Sequence, residues 1–159
     1  MEANRATLES TAAVRNEAVA NACTLITASC TTSWFDWIHG ELWLCPQGLL
    51  RQSLGLTRTL RHGTRPTVDP ANRPTRTFRL DEIGQILAAG RRNRWITWSE
   101  ISQATLKRGV IDHSLHLQLG HAHREKFLWL RIDGGYDLLE QALSTSLPGR
   151  FVAQDKAIG

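Results

Sequence analysis

Three cysteines, three lysines and one tyrosine are few for a chain of 159 residues. Cys23, Cys30 and Cys45 form no C-x-x-C pair and offer no zinc-finger spacing. Three thiols cannot all pair with one another, so reduced cysteines and a cytoplasmic location are expected. Cys45 lies in an apolar run and is read as a small core residue. No apolar run approaches the ~18 residues that cross a bilayer as a helix. The first residues carry Glu2, Glu9 and Glu17 rather than a basic stretch followed by an apolar one, so no secretory signal is expected. The phosphate cradles G-x-x-x-x-G-K-[ST] and G-x-G-x-x-G are missing, and so is the G-x-S-x-G nucleophile elbow. Cys45, between Leu44 and Pro46, lacks the basic surroundings that activate a thiolate. No catalytic constellation emerges, and the chain reads as a non-enzyme without a cofactor.

What is present suits one globular domain. Hydrophobic residues make up 42% and charged residues 21%, a balance that argues against disorder and coiled coil. The cations are mostly arginine, sixteen against three lysines, as in a GC-rich bacterial genome. Their distribution is uneven. From Arg51 to Arg94 ten arginines meet only Asp69, Asp81 and Glu82. Such a segment suits phosphates on nucleic acid, an anionic lipid headgroup or an acidic protein face, and equally a solvated loop. It lacks the interleaved aromatics of nucleic-acid grooves.

Periodicity divides the chain. Leu8, Ala12, Val19, Ala22 and Ile26 lie on a loose helical stripe, so residues 1–32 read as a helix or a mobile arm, with Thr24 to Ser33 as a link. Residues 33–150 read as the domain and 151–159 as a tail. Gly40 to Ser53 reads as strand, turn, strand, with Pro46 presetting the turn and Gly48 taking a positive φ. Residues 55–76, with Pro66, Pro70 and Pro74, read as a long loop. Residues 77–90 suit either a short helix or a strand. Strands are expected at 94–98, 102–107, 113–119 and 125–132. After Gly135, Tyr136, Leu139, Leu143 and Leu147 follow helical spacing, and Pro148-Gly149 ends the helix.

Several phrases carry a likeness. They are Gly40-Glu41-Leu42-Trp43-Leu44 with Gly48-Leu49-Leu50, Trp95-Ile96-Thr97-Trp98-Ser99-Glu100-Ile101, Leu115/Leu117/Leu119 with Phe127-Leu128-Trp129, and Tyr136-Asp137-Leu138-Leu139-Glu140 leading to Leu147-Pro148. Over residues 40–150 the chain resembles the bacterial pleckstrin-homology-like (PH-like) domains. The resemblance implies a mainly β fold: a bent antiparallel sheet or partly open barrel of about seven strands, capped by a C-terminal helix. It also implies a binding module for lipid headgroups, peptides or proteins rather than an enzyme. The basic strand-loop-strand pattern of phosphoinositide binders is not present as such; Arg51, Arg58 and Arg61 are a loose substitute.

Two further groups are candidates. His113, His116, His121 and His123, with Asp112 and Glu125, bring metal-ligating residue types to one hairpin, in a spacing that matches no zinc signature. Exposed polar positions are the plainer reading. Trp34, Trp37, Trp43, Trp95, Trp98 and Trp129 are either core or a docking surface. Trp43 and Trp129 stand opposite the leucine faces of their strands, and Trp34-Phe35-Asp36-Trp37 suits a homodimer contact or a covered sheet edge. The first expectation is a binding module that engages a protein partner or anionic headgroup through Arg51, Arg58, Arg61, Arg65, Arg91, Arg92 and Arg94, with Trp43 and Trp129 as contacts. The alternatives are a nucleic-acid accessory protein using the 51–94 segment and a small metal protein or enzyme centred on the histidines.

Overall fold

A computed structural model describes residues 22–33, 38–55, 60 and 65–155. Among these residues the chain is mainly β, with nine strands in two sheets. The order is β1 (Ala22–Cys30), β2 (Gly40–Cys45), β3 (Gly48–Ser53), β4 (Thr75–Thr77), α1 (Leu80–Ala89), β5 (Arg94–Thr97), β6 (Ile101–Arg108), β7 (Asp112–Leu119), β8 (His123–Leu130), α2 (Tyr136–Ser146) and β9 (Phe151–Asp155). The first sheet runs β4-β1-β2-β3-β5 and the second β8-β7-β6-β9. A bridge from Thr31 to Leu128 joins the end of β1 to β8, so the sheets meet at a corner. They do not close into a barrel.

The hydrophobic pattern explains the layering. Ile26, Leu42, Leu49 and Ile96 from the first sheet face Leu106, Leu115, Leu117, Phe127 and Trp129 from the second. Leu139, Leu143 and Leu147 of the helical stripe are fully buried against this core. Each such side chain contributes about 1.5–3 kcal/mol by leaving water. A second cluster covers the other face of the first sheet. There Leu25, Trp43 and Leu50 pack under Val68, Phe78 and the Ile83 and Ile86 side chains of α1. Asp81 and Glu82 sit in the first turn of α1, where negative charge suits the helix dipole. The ambiguous 77–90 stretch is thus a helix.

Several expectations are corrected. Thr24 to Ser33 is not a link: most of it is β1, interior to the first sheet between β4 and β2. Its sequence carries no polar alternation because Thr27, Ser29 and Cys30 are buried along with the aliphatics. The 151–159 tail begins with a strand, β9, paired in parallel with β6. Gly48 does not have a positive φ. It is needed because a Cβ there would lie 2.0 Å from the Ile96 carbonyl oxygen of the adjoining strand.

The thiol reading is also overturned. Thr24 pairs with Leu44, which sets Cys23 opposite Cys45 across β1 and β2. The two are joined in a buried disulfide with Cα atoms 4.2 Å apart. Cys30 lies outside this disulfide and is buried. Structural disulfides persist in oxidising compartments, so the cytoplasmic expectation loses the reduced thiols it rested on. No helix of the described residues is long and apolar enough to cross a membrane.

Candidate functional site

The arginines named from the sequence do not form one surface. Arg51 is fully buried on β3. Its guanidinium donates to the carbonyls of Arg92 at 2.7 Å, Ile38 at 3.2 Å and Cys30 at 3.3 Å. It ties together three backbone segments at one end of the first sheet, so it is corrected from ligand contact to structural clamp. Arg58 and Arg61 lie outside the described residues, as does the Trp34–Trp37 segment. Arg65, Arg91 and Arg92 are exposed. Arg94 binds Glu125 at 2.8 Å, and Glu125 also meets His123 at 2.9 Å. Burial alone would raise the Glu125 carboxyl, but these two partners hold it below its ordinary value.

Other arginines of the basic segment are spent locally. Arg73 turns inward to the carbonyls of Leu25, Ile26 and Asp133. Arg76 pairs with Glu82 and Arg79 with Asp81. The concentration of charge along the sequence therefore does not become a concentration in space.

Both tryptophans named as contacts are buried. Trp43 is 5% exposed, edge-on to Phe78 with ring centroids 5.2 Å apart. It does point away from the main core, but α1 and the loop before it cover that face. Trp129 is 1% exposed and donates its indole N–H to the Gly134 carbonyl at 2.9 Å. In β8 the aromatic face is the inner one, and Ile132, which follows β8, is half exposed.

The histidines do not converge. His113 is buried, with ring centroids 5.6 Å from Trp129 and 5.2 Å from Tyr136. Burial, with Arg108 and Arg131 nearby, pushes its pKa down to about 4. His116 points to the opposite face of the same strand, and His121 and His123 are exposed. Among the described residues no three His, Cys, Asp or Glu side chains stand together as a metal set.

A fully buried acid, Asp133, follows β8 with no local pattern in the sequence to mark it. The Asp133 carboxylate accepts from Thr27 Oγ1 at 2.5 Å, Ser29 Oγ at 2.9 Å, and Thr67 N and Oγ1 at 2.6 Å each. Four donors replace its water shell, which is what makes a fully buried carboxylate tolerable. With Arg73 it pins the 65–74 loop to β1.

What the structure does gather is a cationic sheet face. The second sheet packs one side on the core, and among the described residues no strand or helix lies across the other, though Ser114 and Leu128 at one end of it are buried. Register sets its outward residues in three rows. Gln103, Gln118 and Arg124 form one, Thr105, His116 and Lys126 the next, and Lys107, Ser114 and Leu128 the third. No carboxylate stands in these rows. Lys107 and Arg124 are exposed, and His116 and Lys126 half buried. Burial lowers the His116 pKa, and Lys107 and Lys126 lower it further. The third row sinks into a concavity of about 570 Å3 that Lys107, Arg108, His116 and Lys126 line together with the β6–β7 turn and the Asp112 and Asp155 carboxylates. A second hollow of about 410 Å3 adjoins it at His116, Lys126 and Arg124. Strand alternation against the buried Leu115 and Leu117 puts His116 on this outer face. The two lysines would have been found by pairing the strands in register, since both flank the His113–Leu119 segment. No protein-family model and no curated protein matches this chain.

Proposed function

We propose that the protein is a non-catalytic binding module that takes an anionic ligand on the open face of its second sheet. The observation that carries this reading is the row arrangement of Lys107, His116, Lys126 and Arg124 with no acid among them. Cations gathered on one face concentrate anions there, and Lys107, Arg108 and Lys126 outnumber the Asp112 and Asp155 carboxylates that share the larger hollow. The PH-like architecture is part of the same proposal. Set β4 and β9 aside, and seven strands followed by a core-plugging helix remain, as the resemblance implies. The fully buried Leu139, Leu143 and Leu147 supply the plug.

The site differs from the Arg51–Arg94 surface expected from the sequence, and one experiment separates them. Retention on heparin, a soluble polyanion, is measured for the wild type, for K107E/K126E and for R91E/R92E across a salt titration. The sheet-face variant is expected to lose roughly fivefold per charge removed, with a shallower salt slope, while R91E/R92E stays near wild type. Loss confined to R91E/R92E would return the site to the loop. A random DNA duplex bound far more tightly than heparin would favour the nucleic-acid reading.

A further inference from the structure

The β6–β7 turn ends the cationic face with a feature that face alone does not explain. Val110 and Ile111 are 68% and 70% exposed at its tip. The turn is tight because residue 109 is glycine: a Cβ there would lie 1.8 Å from the Asp112 carbonyl oxygen. The Arg131 N–H donates to the Ile111 carbonyl at 2.9 Å, which brings the half-exposed Ile132 to the same end. Three exposed or half-exposed branched aliphatics thus share one end of the second sheet. Isolated exposed apolar residues need no explanation, but neighbouring ones rimmed by charge mark a contact surface.

The rim is specific in sign. Lys107 and Lys126 line the hollow beneath the tip, and Arg131 is exposed beside it. Of the acids at this end, Asp137 and Asp155 are both engaged by Arg108, which also lies 3.9 Å over the Tyr136 ring. The remaining one, Asp112, lines the hollow with Asp155, where Lys107, Arg108 and Lys126 outnumber the two. Lys107, Lys126 and Arg131 make no ion pair among the described residues, so they are available to an outside anion. An aliphatic tip above a cationic hollow complements a surface that is apolar at depth and anionic at its boundary. A protein partner would offer those two features side by side; a bilayer offers them one above the other, in the order found here.

We propose that the Val110–Ile111 tip inserts into an anionic lipid bilayer while Lys107, Lys126 and Arg131 contact its headgroups. This rests on the anionic-ligand reading and adds the occupant. Co-sedimentation of the full chain is measured with phosphatidylcholine vesicles and with vesicles containing phosphatidylglycerol, beside heparin retention. V110S/I111S removes the apolar tip without changing charge, and the variant's melting curve verifies that it folds. The expected result is binding to the anionic vesicles only, weakened at least ~tenfold in V110S/I111S, with heparin retention unchanged. Anionic-vesicle binding that V110S/I111S leaves intact would overturn the insertion while the cationic face stands. Heparin retention without vesicle binding would overturn the bilayer as occupant and keep the anion. Equal binding to both vesicle types would remove the role of the cations. Failure on heparin and on both vesicles would overturn both readings.

Discussion

The two sheets use the same alternating pattern to opposite ends. In the first, both faces are buried: one side meets the main core and the other lies under α1, Val68 and Phe78. In the second, the inner residues reach zero exposure at Ala104, Leu106, Leu115 and Phe127, while on the outer face Gln103, Lys107 and Arg124 are exposed and Thr105, His116, Gln118 and Lys126 half-buried. Alternation reports which residues share a face. It does not report whether a third layer covers that face. Trp43 and His116 both stand on the side of their strand away from the main core, yet one is a core residue and the other lines a hollow.

The strongest test of this contrast is a pair of truncations. Trp43→Ala should destabilise the protein by about 3–5 kcal/mol, as removal of a buried aromatic does. His116→Ala, on the open face, should stay within about 0.5 kcal/mol. Urea unfolding followed by far-UV dichroism reads both, and near-equal values would break the distinction between a covered and an open face.

The disulfide sharpens the contrast next, because it belongs to the first sheet alone. It closes a loop with a sequence separation of 22. Chain entropy assigns such a bond about 3 kcal/mol, with a range of 2–4. Cys23→Ala/Cys45→Ala should lower the urea midpoint accordingly, and reductant should do the same to the wild type while leaving that variant unchanged. A variant as stable as the parent would show that the covering layer suffices without the bond.

The smallest effect concerns pH and the second sheet's two faces. His113 points in and its pKa is lowered to about 4 from an ordinary 6.5. The unfolded chain therefore takes up a proton first, so stability is intact above pH 6.5 and falls as pH drops toward 4. The loss should be on the order of 1–2 kcal/mol across that window, and His113→Leu should flatten it. His116, on the outer face, is also lowered, by burial and by Lys107 and Lys126. Its protonation adds a cation to the hollow, so anion binding should tighten as pH falls below the ordinary imidazole value, while stability declines. Calorimetric melts and heparin retention at matched pH values separate the two histidines; parallel behaviour would contradict their opposite placement.

Much of the β framework was legible. Leu115, Leu117 and Leu119 alternate cleanly, and Leu139, Leu143 and Leu147 carry an unmistakable helical stripe. Their periods match the elements they form, so local spacing sufficed. β1 was not legible, because a strand buried on both sides has no polar alternation, and its Thr and Ser residues resemble a linker. The buried polar groups were hidden for a related reason. Nothing local distinguishes Arg51, whose guanidinium meets three carbonyls, from Arg65, which is exposed on a loop. Asp133 looks like a turn residue until Thr27, Ser29 and Thr67 close around it.

By itself the amino-acid order determined the periods: which residues lie together on a strand or a helix, where turns fall, and how charge is distributed along the chain. Backbone geometry fixes those spacings within a few residues, so they need no partner. Only the tertiary structure decided which faces are covered, which arginines are neutralised and which cysteines meet. Those outcomes depend on groups up to 106 residues apart, as Thr27 and Asp133 are. Burial and pairing are properties of neighbours in space, and the sequence orders neighbours only along the chain.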